Sequence, residues 1–169
     1  DVLLKYALAL ENAKRWRKAA ETMVTIVEQL DPSQNLATNI TYSYSKDGDS
    51  KNSDKWAEEA YKSSHGSISA YNLALSRREQ GNSDSYEKLM EESIELDHSN
   101  SAALLAFGYH LMDKNDTRGR EYIVSACKIL NDQLVNDDLD EDDIIRLEKA
   151  AQTLGKQDIL KSLLLYRKK

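Results

Sequence analysis

SISAYNLALSRREQGNSDSYEKLMEESIELDHSN, residues 67–100, is the stretch whose reading decides the fold. Ala70, Leu73, Ala74 and Arg77 recur at helical spacing, Gly81 interrupts them, and Tyr86, Leu89, Met90, Ile94 and Leu96 resume the period. Asp84 with Glu87 three residues on has the form of a capping box at the second start, with aspartate in the cap role. Asp97 and His98 mark the stop. The stretch therefore reads as two amphipathic helices around a glycine turn.

The same grammar extends to both sides. Upstream, Leu3, Tyr6, Ala7 and Leu10 precede Trp16, Ala19, Ala20, Met23, Val27 and Leu30. Asp31–Pro32 ends that run, because the residue before proline is driven from the α region and proline lacks the next donor. From Asn35 a serine- and threonine-rich helix carries Leu36, Ile40 and Tyr44 to Gly48, and a partner with Trp56, Ala57, Ala60 and Tyr61 closes at His65–Gly66. Downstream, Leu104, Phe107, Gly108 and Leu111 are followed by a polar turn and by Tyr122, Ile123, Ala126, Ile129 and Leu130. After Val135 comes the acidic run NDDLDEDD, whose last acids suit a helix N-terminus; Ile144 to Leu154 and Ile159 to Leu164 complete the chain as two more helices.

The copies keep step. Tyr6, Ile40, Leu73 and Phe107 lie 34, 33 and 34 residues apart; Gly48, Gly81 and Asn115 lie 33 and 34 apart; Pro32, His65 and His98 lie 33 and 33 apart. A two-helix unit of this length resembles the tetratricopeptide repeat. The large-then-small pairs Leu73–Ala74 and Phe107–Gly108, approximated by Tyr6–Ala7 and Ile40–Thr41, carry the resemblance, with Ala19 and Ala60 in second helices and LDPS at 30–33 as a repeat ending. YNLA at Tyr71–Ala74 also resembles the Sel1-like repeat. The small residue lets two helices approach, and the large one fills the space beside it.

The resemblance implies an all-α fold, a right-handed α-solenoid of stacked antiparallel helical hairpins. It is expected as one domain over 1–169: repeats at 1–34, 35–66, 67–100 and 101–135, then an acidic loop and C-terminal capping helices at 136–169. Two departures stand out. First helices lack the signature tryptophan, and Pro32 alone survives at the hairpin ends.

A formal charge of −6, with 31% charged and 40% hydrophobic residues, fits solvated helices around a core and argues against nucleic acid as the main ligand. Dense positive charge is expected only in the run Arg167–Lys168–Lys169, where cations complement a helix C-terminus. Cys127, the single cysteine, rules out an intrachain disulfide and reads as a packed small hydrophobe. Neither a membrane-spanning run nor a signal segment is read, so membrane insertion is not expected, and an intracellular, cytoplasmic setting is favoured. Because helical periodicity is already running at Val2 and Leu3, the chain is expected to be a piece of a longer protein.

In the family, first helices line a concave groove that holds peptides or a partner helix. Carried over residue by residue, the resemblance places Asn39 and Tyr42, then Tyr71, Asn72 and Arg78, then Leu105, Tyr109 and Met112 on that groove. Asn39 and Asn72 occupy equivalent places, and an amide donates and accepts as a peptide unit does. A carboxylate clamp of the family's chaperone-binding type is not expected, since Ala102 and Ala106 stand where its cations would be. His65 and His98 fall at equivalent hairpin ends and His110 beside Tyr109; none has metal-ligand spacing, and Asp137 to Asp143 lacks the glycine and final glutamate of a calcium loop. The reading is of a non-enzymatic, protein- or peptide-binding scaffold with no cofactor and no metal; the alternative is self-assembly as a homo-oligomer or docking to another domain.

Overall fold

The computed structural model describes residues 2–33 and 35–167. Among them no strand occurs, and the helices run α1 (Val2–Asn12), α2 (Trp16–Thr25), α3 (Ala37–Asp47), α4 (Ser50–Ser64), α5 (Ser67–Glu79), α6 (Ser83–Leu96), α7 (Ser101–Asp113), α8 (Arg118–Val135), α9 (Glu141–Leu154) and α10 (Gln157–Tyr166). The expectations for Lys168 and Lys169 lie outside the described residues. The chain divides into two compact units, Asp1–Ser93 and Ile94–Lys169.

Left-handed residues sit where the repeat places the hairpin turns. Gly48, Gly81 and Asn115 have φ of 83°, 74° and 60°, and Lys14 takes the same conformation at 56° in the first hairpin. Glycine and asparagine tolerate this region at little cost; a lysine there works against its own Cβ. Several helix starts are capped by side chains: Asp49 accepts from the Asn52 amide at 3.1 Å, Asn100 from Ala103 at 3.0 Å, and Asp140 from Asp143 at 2.7 Å. The bonds from Asn52 hold the Asp49 carboxyl below the usual carboxylate range, with Arg17 adding to the effect. At α6 the expected Asp84–Glu87 box gives way to Asn82, whose side chain accepts from the Ser85 amide at 3.1 Å. Asparagine two residues earlier reaches the free donor first.

In the first unit each helix packs on the next from α1 to α5, and α3 also meets α5. Its core gathers Ala7, Leu10, Ala19, Ala20, Met23 and Ile26 with Leu36, Ile40, Tyr44, Trp56 and Ala60. The small members, Ala7, Ala19 and Ala60, are fully buried, as their task requires. Ser67 Oγ donates to the Ser93 carbonyl at 2.8 Å and Ser93 Oγ to the Ser67 carbonyl at 2.8 Å, tying α5 to α6. The Tyr61 hydroxyl adds a bond from α4 to both Glu92 oxygens at 2.9 and 2.8 Å.

One local departure is not helical in the ordinary sense. Ile26–Leu30 forms a π turn, closed by the Asp31 amide on the Ile26 carbonyl at 2.7 Å. A π turn rotates less per residue, so Leu30, expected on the apolar face, is 64% exposed. Tyr6 is likewise 42% exposed rather than central to its hairpin. The LDPS ending does keep its local shape. Asp31 accepts from the Ser33 amide at 3.1 Å, and Asp97 accepts from Ser99 in the same way at 2.8 Å, with His98 standing in the proline's place.

In the second unit α7 packs on α8, α8 on α9 and α9 on α10, while α7 also meets α9. The α7–α8 approach is set by two glycines. A Cβ on Gly108 would lie 2.8 Å from Ile123 Cγ1 and 2.9 Å from the Gly119 carbonyl, and one on Gly119 would strike the Gly108 carbonyl. Cys127 is buried, and burial pushes its thiol pKa up, so it behaves as the packed hydrophobe expected.

Candidate interaction surface

The residues expected on the groove fall in both units. On α3, Asn39 is half-buried and Tyr42 is 41% exposed. On α5, Tyr71 and Asn72 are half-buried, and the exposed Arg78 places its guanidinium carbon 5.5 Å from the centre of the Tyr86 ring. Burial raises the Tyr86 phenol pKa, and Arg78 opposes the rise. Because α3 and α5 meet, the structure brings the two helices that carry these half-buried asparagines side by side.

In the second unit the expected residues are differently placed. Leu105 is 4% exposed and belongs to the core. The Tyr109 hydroxyl lies 3.2 Å from Thr153 Oγ1, and Lys149 Nζ stands 4.3 Å above its ring, so this tyrosine joins α7 to α9. Burial raises its phenol pKa. Met112 is 37% exposed and approaches Gly119 at the α7–α8 turn. Of the expected residues, Asn39, Tyr42, Tyr71, Asn72 and Arg78 lie in the first unit and are half-buried or exposed.

Two features there escape the sequence reading. The first is a cleft of about 580 Å³ bounded by Val27, Glu28, Pro32, Ala37, Lys55 and Trp56. The second is a basic turn, Lys14–Arg15–Trp16–Arg17–Lys18, which corrects the expectation that dense positive charge is confined to the C-terminal run. Arg17 binds Asp47 at 2.6 Å and Asp49 at 3.3 Å, and Trp16 meets Tyr42 edge-on with ring centres 5.7 Å apart. Its signal was visible in the chain as four cations in five residues.

Among the described residues no cluster of histidine, cysteine or acidic groups is arranged to hold a metal, and no helix is long and apolar enough to cross a membrane. His65 stacks on Tyr61 at 4.9 Å and His110 on Phe107 at 6.3 Å. The first-unit surface carries amides, rings and fixed charges.

No family model and no curated protein matches the sequence. Solved structures do resemble it. A MamA double mutant aligns with a TM-score of 0.65 at 16% identity, over 78% of this chain and 75% of that one. A second MamA structure aligns at 0.63 and 10% identity, over 99% of this chain and 91% of its own. YrrB, described as a TPR protein with an unusual peptide-binding site, aligns at 0.60 and 15% identity, again over 99% and 91%. The chain thus has the tetratricopeptide type of helical-repeat fold, all-α and of the solenoid class. These neighbours lend no support to Sel1-like character.

Proposed function

We propose that this chain, built on the tetratricopeptide fold, is a non-enzymatic protein-interaction module that holds a partner peptide or helix along its first helices, with repeats as delimited from the sequence. The observation that carries the reading is the pair Asn39 and Asn72, half-buried at equivalent places on the adjacent helices α3 and α5. An amide in such a place can accept from and donate to one peptide unit, while Tyr42 and Tyr71 offer flat area at small entropic cost. The likeness to a peptide-binding TPR protein supports the same class of function.

Peptides selected against the chain from a random library supply the test. With such a peptide, Asn39→Ala and Asn72→Ala are each expected to weaken binding by about tenfold, the worth of about one buried hydrogen bond, while the unfolding midpoint stays put. Calorimetric titration checks this. Selected peptides that bind both variants as tightly as the parent chain sink the groove reading.

A second reading has its own observation. Leu164 and Leu165 on α10 and Val135 at the end of α8 are 59%, 68% and 78% exposed, an apolar face suited to a second copy. Light scattering of the chain and of Leu164→Glu/Leu165→Glu is expected to show a dimer only in the former; a parent chain that is monomeric throughout removes this alternative.

A further inference from the structure

The basic turn has no place in the groove reading as it stands. Four of the five residues from Lys14 to Lys18 are cations, in a chain whose net charge is −6. Arg17 is committed to Asp47 and Asp49. Lys14 and Arg15 are exposed, and Trp16 beside them is only half-buried. Across from them, Lys46 Nζ lies 5.3 Å from the centre of the Tyr42 ring, which itself meets Trp16 edge-on. The two part-exposed rings thus meet where the chain also brings cations, from just before α2 and from the last turn of α3.

We propose that this face, made by Lys14, Arg15, Trp16, Tyr42 and Lys46, takes an acidic peptide segment of a partner protein. The partner's carboxylates pair with the cations, and an apolar side chain between them rests against the Trp16–Tyr42 corner. The proposal shares Tyr42 with the groove reading, stands on its own observations, and adds the partner's charge and the edge at which it enters. Charge complementarity sets the sign of the occupant. Tryptophan, tyrosine and arginine are also the residues on which binding energy concentrates at interfaces. A nucleic-acid strand fits less well. Its bases need flat platforms in series, whereas these rings stand at 90° to one another. Its phosphates would also run on from the patch over an acidic molecule.

The test uses the whole chain, labelled for amide and indole NMR signals, and three probes: an acetylated peptide of aspartates flanking one phenylalanine, the same peptide with lysines, and an oligothymidylate. The acidic peptide is expected to shift the Trp16 indole N–H and the Arg15 and Lys46 amides saturably, with affinity falling about tenfold from low to high salt as screening sets in. Arg15→Glu combined with Lys46→Glu, with circular dichroism and unfolding unchanged, is expected to lower that affinity at least about tenfold as attraction becomes repulsion. Should this variant misfold, the salt dependence of the parent chain carries the decision. The proposal is overturned by no response, by an equal response to the lysine peptide, or by a response to the oligonucleotide alone. The Asn39 and Asn72 side-chain signals in the same spectra separate the two ideas. If they stay silent while Trp16 responds, the groove reading fails and the basic face stands; if they respond while Trp16 is silent, the reverse holds.

Discussion

Gly119→Ala is expected to lower the unfolding free energy by about 3 kcal/mol, although glycine-to-alanine changes inside helices ordinarily stabilise by about 0.5–1 kcal/mol. The sign is reversed by what the methyl group meets. A Cβ on Gly119 falls on the Gly108 carbonyl and lies 2.8 Å from the Met112 amide nitrogen, so two backbones must part before it fits. Backbone, unlike the tip of a long side chain, cannot swing aside, and parting α7 from α8 loosens Phe107, Ile123 and Leu130 together. Urea unfolding followed by circular dichroism checks the value. A variant as stable as the parent chain means that the helices do not approach as described. Gly81→Ala is the informative control, because nothing lies within 4 Å of its missing Cβ and only its φ of +74° opposes the change.

Arg77→Ala is expected to cost about 2–3 kcal/mol, because removing one member of a part-buried charge cluster leaves the others uncompensated. The Arg77 guanidinium sits 3.1 Å from Asp54 and 2.5 Å from Glu58, and its side chain is 20% exposed. Ser76 donates to the same Asp54 carboxylate, so without the arginine two acids on α4 face α5 with one hydroxyl between them. The estimate is held below that for a wholly buried pair because Asp54 and Glu58 are 32% and 41% exposed, and water screens part of the field. Arg77→Met, which keeps the stem and its packing, isolates the charge contribution. Unfolding at low and high salt is the measurement. The gap between parent chain and variant is expected to narrow as salt rises, and a gap of zero at low salt refutes the account.

The parts of this fold that were legible in the chain are those with a residue-specific cause. Positive φ selects glycine or asparagine, so Gly48, Gly81 and Asn115 announce their turns. Close approach selects small side chains, so Ala7, Ala60 and Gly108 announce their contacts. The exposure of Leu30 was not legible, because a π turn leaves no mark on composition and only the Asp31–Ile26 bond reveals it. Equivalence between repeats puts Asn39 and Asn72 at matching places on α3 and α5 but did not foretell the surroundings of Leu105 and Tyr109. In the second unit α8 runs to Val135 and an acidic loop follows, so the next hairpin brings Lys149 and Thr153 over Tyr109 at a spacing the shorter repeats do not foretell. The run Lys14–Lys18 was legible in the chain, but the face it forms was not. Its partners, Tyr42 and Lys46, belong to the next hairpin and become neighbours only on folding.

The π turn at Ile26–Leu30 also bears on how such a chain tolerates changes of length. It is one residue more than an α-helical path needs, stored just after Met23 and Ile26 have entered the core. Losing one residue there returns the turn to ordinary helix and leaves every earlier side chain facing as before. Losing one at Ala19 or Ala20 instead swings the following buried face by about 100° and empties the core. The first hairpin thus carries its slack at its exit, where a copying error of one codon triplet is absorbed rather than propagated into the next repeat.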